Sequence, residues 1–464
     1  ELGPDARSVR EGDHYVSCPV LYESIEVKGG DPILEEVVIT PRGPIISPAF
    51  EGEQRSISIQ ATWLAARPYR GFLQAHRARS FESFRELFRE GSTSTISFVY
   101  ADISGDIGWM LSSELPVRRS GLGHLPMPGW SPACGWHDEL VPFEDHPYVK
   151  NPAEGFVATA NNQPLADGVG PFMGVDWLDG FRQAAIVGSL ASRDDWTVSM
   201  VAALQRDVRS LPWERVRERV LELDTSTLAT AQQAQSILRD WDGQMSPDSV
   251  GATVYAFFFA SFCRRIVDAK APGASAWALG RGFTALLPYN LIVTRRLAFF
   301  VRLIEEQPDT GYVASWARLL LACLADAVEN LSARFGEDTQ RWSWGEVRPL
   351  TLVHTFAAQA PMDALFNVGP IPYGGDAGTI AQASIDLTDP SANPVGVATL
   401  RQVIDVGRWE ACRYILVHGQ SGNPYSPHFS DQTETYLHGE GIPIWYAHDH
   451  ILEHTKAHLR LKPR

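Results

Sequence analysis

The feature that most constrains this chain is a change in the period of its apolar residues, from short and strand-like to helical and back again. Residues 56–63 alternate Ile57, Ile59 and Ala61 against Ser58 and Gln60, the period-two pattern of a half-buried strand. Residues 24–28 and 33–40 read as two strands joined at Gly29-Gly30. Residues 94–101 and 107–111 flank the turn cluster Asp102-Ile103-Ser104-Gly105-Asp106 and predict a hairpin. A short helix is expected over 81–89, where Phe84, Leu87 and Phe88 share a face. From about 192 the spacing becomes i, i+3, i+4 over 197–205, 213–223, 228–241, 249–269, 291–306 and 314–335, which predicts amphipathic helices. After 350 the chain returns to short strands and glycine-rich loops, with a helical tail from about Ala447. Strands, then helices, then strands predict an α+β chain in three parts: 1–191 strand-rich, 192–349 a helical arm, 350–464 a strand-rich return.

Composition narrows the function. With Lys+Arg 40 against Asp+Glu 55, a net charge of −15, the chain lacks the basic surface that phosphate backbones require, so no nucleic-acid partner is expected. The most apolar run, 252–263, is short for a bilayer span, and the one near 297–303 is preceded by Arg295 and Arg296, so no membrane association is expected. Five cysteines, at 18, 134, 263, 323 and 412, follow no CxxC spacing, which argues against a zinc site and a disulfide framework and leaves the compartment open.

Several short motifs invite chemical readings and fail them. The loop 374–379, Gly-Gly-Asp-Ala-Gly-Thr, lacks a phosphate-binding lysine and reads as a structural turn. Gly419-Gln420-Ser421-Gly422 is half of a nucleophile elbow, with Asn423 where the second glycine belongs. His448, His450 and His454 include one i, i+4 pair but no HExxH, so no metal site is assigned and a solvated tail helix is expected. Asn161-Asn162, followed by Asp176, Asp179 and Arg182, reads on residues alone as a turn with an Arg–Asp surface pair. The functional reading is that a fixed Asn amide can donate to an oxyanion.

The order of motifs decides between them. Thr-x-x-Gly-Pro-x-Ile stands at 40–46, Tyr-Ala-Asp-x-x-Gly-x-Ile-Gly at 100–108 and Leu-Pro-x-Pro-Gly-Trp at 125–130. Asn-Pro-x-x-Gly-Phe-x-x-Thr-Ala-Asn-Asn follows at 151–162, Arg-Asp-Trp-Asp-Gly at 239–243 and Trp-x-Trp-Gly at 342–345. Gly-Gly-Asp at 374–376 and Gly-Gln-Ser-Gly-Asn-Pro-x-Ser-Pro-His at 419–428 complete the series. In this order the chain resembles the large (β) chain of the penicillin acylase family of N-terminal nucleophile hydrolases.

The resemblance implies a four-layer αββα sandwich, incomplete at its N-terminal edge, with a helical insertion. It implies an amidohydrolase acting on a linear amide, such as that of a β-lactam antibiotic or an N-acyl homoserine lactone. Asn161 takes the place of the oxyanion-hole side chain, and Arg182 that of the arginine that holds it. Phe72 and Ile96 fall at positions lining the acyl pocket, where ordinary core packing is the competing reading. The family's nucleophile opens its β chain and uses its own α-amine as base. Residue 1 here is Glu, so the expectation is a β-chain fragment whose nucleophile segment is missing, inactive and aggregation-prone by itself. The partners implied are an N-acyl amide substrate and the small α chain of the same precursor. No cofactor is required; a structural calcium ion is allowed by the family, with Asp167 and Asp176 near a ligand position. The location implied is periplasmic or extracellular. A non-catalytic sandwich that binds acyl ligands or a partner chain is the alternative.

Overall fold

Ser249 opens the longest helix of the chain. Its hydroxyl accepts the Ala252 N–H at 3.1 Å and satisfies one of the helix's unpaired donors. In the computed structural model this helix runs Val250–Lys270, and every residue from 251 to 263 is buried. By length and composition it would cross a membrane, but 83% of its most apolar window is covered by protein. Trp316–Phe335 and Ala229–Asp240 pack against it, and Leu297–Glu306 packs against Leu211–Leu221. Together they enclose one continuous apolar core that includes Trp213, Phe258, Phe262, Leu324 and Trp342. Gly251 permits the tightest approach there: a Cβ would lie 2.3 Å from Trp241 Cγ.

The structure describes residues 1–47, 55–64, 70–90, 95–280, 296–358, 360–394 and 396–463. They divide into two compact units: Glu1–Thr159 with Gln163–Trp177, and Ala160–Asn162 with Leu178–Arg464. Helices and strands are both well represented, so the fold class is α+β. The part of the expected 291–306 helix before Arg296 lies outside the described residues; the rest begins at Leu297.

In the first unit the predicted hairpin forms as Ile96–Ala101 against Ile107–Ser112, with Phe98 opposite Met110 and Tyr100 opposite Gly108. Asp102 ties its turn: Oδ1 accepts the Ser104 and Asp106 N–H groups at 2.9 and 3.2 Å, and Oδ2 accepts the Tyr100 hydroxyl at 2.8 Å. Tyr148–Lys150 adds a third strand to this sheet. The strand before Gly29-Gly30 lies earlier than expected, at Val20–Ile25, and pairs antiparallel with Ile33–Thr40. The strand expected over 56–63 does not form. Pairing there is one isolated bridge, Ile45 with Ser58, because Pro44 has no N–H to extend a ladder. The short helix Phe81–Glu86 is capped by Ser80, which bonds reciprocally with Ser83.

The second unit holds the long helices and two small sheets, Leu350–Leu352 with Val368–Ile371 and Leu400–Val403 with Arg413–Leu416 and Ile442–Pro443. The Gly-Gly-Asp loop is a structural turn, as expected. Gly375 has φ +80°, and its carbonyl accepts from Trp344 Nε1 at 3.1 Å and Arg348 Nη1 at 3.3 Å. Thus Trp-x-Trp-Gly and Gly-Gly-Asp lock onto each other, with Arg348 fully buried and its guanidinium over the Trp344 ring.

Candidate functional site

The residues 160–162 make a turn whose polar groups are almost all committed. The Asn162 side chain accepts the Ala160 N–H at 3.0 Å, and the Asn161 carbonyl accepts the Leu178 N–H at 3.0 Å. Asn161 itself has φ +65°, a left-handed conformation that Asn tolerates better than most side chains. Arg182 completes the turn. Its Nη2 donates to the Ala160 carbonyl at 2.7 Å and to Asn161 Oδ1 at 2.9 Å.

That last bond fixes the chemistry of Asn161. A guanidinium only donates, so the atom facing it is the amide oxygen, and the amide nitrogen points the other way. Asn161 therefore presents two N–H donors from an exposed, clamped side chain. Arg182 is half-buried, and burial pulls its pKa below the ordinary value while leaving it protonated. Among the described residues no carboxylate lies within 4.0 Å of it, so the turn keeps its positive charge. Fixed donors beside an unneutralised cation suit negative charge that develops on a bound carbonyl oxygen.

Arg182 stands in the first turn of a helix, Phe181–Ala191, that the sequence analysis did not anticipate. The helix begins at Gly180 with no side-chain cap and contains Gly188; only Phe181 and Ala185 are buried, so its apolar signal is weak. The Arg–Asp surface pair expected from residues alone is not what forms. Arg182 turns to Asn161, while Asp179 Oδ2 accepts the Ala298 N–H at 3.1 Å and caps Leu297–Glu306. Burial is the main influence on Asp179 and raises its pKa to about 6, against the opposing pull of two backbone N–H groups. Sequence reasoning took this residue only as a candidate partner for Arg182 and missed its contact with the helix start. An acid 118 positions before a helix start carries no local capping signal.

Phe72 and Ile96 belong to the first unit. Phe72 is 42% exposed; its ring meets Phe88 edge-on at 5.3 Å and Phe98 at 5.6 Å. Ile96 is half-buried on the same strand face as Phe98 and Tyr100. Both residues therefore border one aromatic cluster, and Phe72 leaves part of its ring open beside it.

The acidic residues do not assemble a calcium site. Asp167 Oδ1 is taken by the Gln163 amide at 2.9 Å, and no group of three potential ligands forms among the described residues. Nor do the tail histidines converge. His450 Nδ1 lies 2.9 Å from Glu410 Oε2, and His454 stacks on Trp445 at 4.4 Å. The five cysteines are free and buried.

Against known proteins, the model of the penicillin amidase family matches residues 3–453. A penicillin acylase 2 proenzyme from Pseudomonas sp. (strain SE83) is 28% identical over 472 residues, taking in 100% of this chain and 58% of that protein. An acyl-homoserine lactone acylase QuiP from Pseudomonas fluorescens is 27% identical over 449 residues, 91% of this chain and 53% of that one. The chain thus spans about half the length of the curated relatives it matches. Among solved structures, a thermostable penicillin G acylase from Alcaligenes faecalis superposes with a TM-score of 0.66 at 18% identity, covering 100% of this chain and 85% of that chain.

Proposed function

The chain belongs to the penicillin amidase family, and from that premise we propose that it is part of an amidohydrolase cleaving the linear amide of an N-acyl substrate. The relatives are named for penicillin and for acyl-homoserine lactones, and the substrate is proposed to come from those two classes. The observation that carries the reading is the Arg182–Asn161 clamp, which aims a fixed amide N–H outward from a strained turn.

In the proposed reaction a nucleophile attacks the amide carbonyl. The carbonyl oxygen takes up negative charge, and Asn161 Nδ2–H donates to it. Arg182 holds Asn161 Oδ1 and supplies positive potential behind it. Collapse of the tetrahedral species expels the amine and leaves an acyl-enzyme ester; water then releases the acid. We place the nucleophile and its α-amine base on an N-terminal residue outside this chain. A complement of the relatives' extra length fits that assignment, and so does the exposed apolar surface of the Val20–Ile25 and Ile33–Thr40 ribbon. Leu21, Ile25, Ile33 and Leu34 there are 49–68% exposed, a surface that another chain of the same precursor would cover. With that chain added, the architecture we propose is the four-layer αββα sandwich. Phe72 and Ile96 are proposed to line the acyl side of the site.

The test is single-turnover acylation by the complete enzyme and its Asn161→Ala variant. The ground-state carbonyl needs little from this side chain, so the acylation rate should fall about 10²–10³-fold, or ~3–4 kcal/mol, with affinity nearly unchanged. Acylation at wild-type speed with collapsed affinity would make Asn161 a binding residue and remove the oxyanion role. Arg182→Lys should recover only part of what Arg182→Ala loses, because an ammonium cannot reproduce the fork of donors.

A further inference from the structure

A cavity built from other residues than the turn at 160–162 lies within the second unit. It encloses about 320 Å³ between the end of the Leu350–Leu352 and Val368–Ile371 pair and the loop 418–422. Leu352, Phe366, Val368 and Phe429 supply apolar walls. We propose that this cavity binds a small monocarboxylic acid with an aromatic or branched apolar body.

The polar side of the cavity determines the ligand class. His354 is held at three points. Its backbone N–H donates to Asn367 Oδ1 at 3.0 Å, its Nδ1 accepts the Phe356 N–H at 3.1 Å, and its ring lies flat on Phe366 at 4.7 Å. With Nδ1 an acceptor, the ring proton sits on Nε2. No described residue accepts it, so His354 is an immobilised donor on the cavity wall. His418 also lines the cavity, and its ring is held by the backbone of Gly419, with Nδ1 2.7 Å from the Gly419 nitrogen and 2.5 Å from its carbonyl oxygen. Ser421 Oγ accepts the Asn423 N–H at 3.1 Å and keeps its own proton to give.

Charge gives the same answer. No Asp, Glu, Lys or Arg lines the cavity. Asp431, the acid close to Gly419, is bonded to His428 Nδ1 at 2.8 Å. An amine would find no anion here, whereas a carboxylate has the His354 Nε2–H and the Ser421 hydroxyl to accept from while its body fills an aromatic-walled space. At interior packing the volume holds roughly ten non-hydrogen atoms. Acids of this class are what amide hydrolysis releases, and the cavity shares no residue with Asn161, Arg182, Phe72 or Ile96.

The test titrates the protein, labelled with ¹⁵N at histidine, with 3-phenylpropanoate and with uncharged 3-phenylpropan-1-ol at constant ionic strength. Binding is read by calorimetry and by the His354 Nε2 resonance. The acid should bind with 1:1 saturation, shift that resonance, and bind at least ten-fold more tightly than the alcohol. His354→Phe keeps the ring on Phe366 but removes the donor; it should cost the acid ten-fold or more and leave the alcohol unchanged. Ser421→Ala, on a surface loop, should weaken the acid in the same direction by a smaller factor, and serves if His354→Phe does not fold. Phe72→Ala, on the proposed acyl side of the other site, should leave acid binding intact. The proposal is overturned by no saturable binding, by equal affinity for acid and alcohol, by indifference to the histidine and serine variants, or by loss of binding in Phe72→Ala.

Discussion

The two units solve the problem of burying apolar surface in opposite ways. The helical part of the second unit encloses its aromatic residues on every side: Trp213, Phe258, Phe262 and Trp342 are 0–1% exposed in one continuous core. The first unit has two modest clusters, around Phe81 and around Trp109, and sheets of two or three strands. Its Val20–Ile25 and Ile33–Thr40 ribbon shows apolar side chains to solvent along most of its length. Two- and three-stranded sheets are marginal alone, and exposed apolar ribbons are interaction surfaces. The difference teaches that apolar content does not tell which part of a chain is self-sufficient. What matters is whether the residues can meet one another within the same stretch of sequence. Helices achieve this locally, and strands need partners brought from elsewhere.

The sharpest way to break this comparison is to delete one large side chain from each side. Phe258→Ala, at a fully buried position, should cost about 3–5 kcal/mol in denaturant unfolding of the second unit. Leu34→Ala, 68% exposed on the ribbon, should change stability by less than about 0.5 kcal/mol in the chain alone. Equal costs would mean that the ribbon is already covered, and the contrast would fail.

A smaller effect probes where the compact unit carries a burden. The pKa of Asp179 is about 6, above its unfolded value near 3.9. Its protonated form therefore favours folding. That contribution is complete below about pH 4 and is lost as pH rises through 6. The ionised carboxylate thus weighs against the folded state at pH 7, by about 1–2 kcal/mol after discounting for its partial exposure. Asp179→Asn keeps an acceptor for the Ala298 N–H and removes the charge. It should raise stability at pH 7 by about 1 kcal/mol, with the gain vanishing below pH 4. A gain that persists at pH 4, or none at pH 7, would show that burial is not what sets its pKa.

The smallest effect sharpens the comparison at the level of one hydrogen bond. Ser249→Ala should cost about 1 kcal/mol, because the Ala252 N–H loses its partner at the start of the most buried helix. A cost spread evenly over the second unit, seen in amide exchange, is expected if that core unfolds as one body; a loss confined to the first turn would divide it.

Much of this was legible in the sequence where the signal is local. The helix over Val250–Lys270 follows from i, i+3, i+4 apolar spacing over 249–269, and the hairpin at Ile96–Ser112 from two apolar strands around a turn cluster. The failures are where a distant partner decides. Residues 56–63 alternate properly but face Pro44, which cannot complete the ladder. Phe181–Ala191 lacks a capping side chain and buries only two residues, so periodicity alone passes it over. For the site, residue chemistry by itself favoured an Arg–Asp pair; the order of motifs along the chain pointed to Asn161 and Arg182 together. In the structure the side chains of Asn161 and Arg182 bond to each other, and Asp179 accepts from a helix start 118 residues away.

The positive φ of Asn161 narrows the substitutions open to this position. A β-branched or bulky side chain there would strain the backbone, and glycine would relax it while discarding the donor. Aspartate would keep the shape and bring a negative charge to the place where, in the proposed reaction, a negative charge forms. Asparagine alone among the common choices meets the conformational and the chemical demand together. Under the proposed reaction, laboratory evolution toward new acyl groups should therefore leave position 161 untouched and accumulate its changes elsewhere, at positions such as Phe72, whose backbone carries no such double commitment.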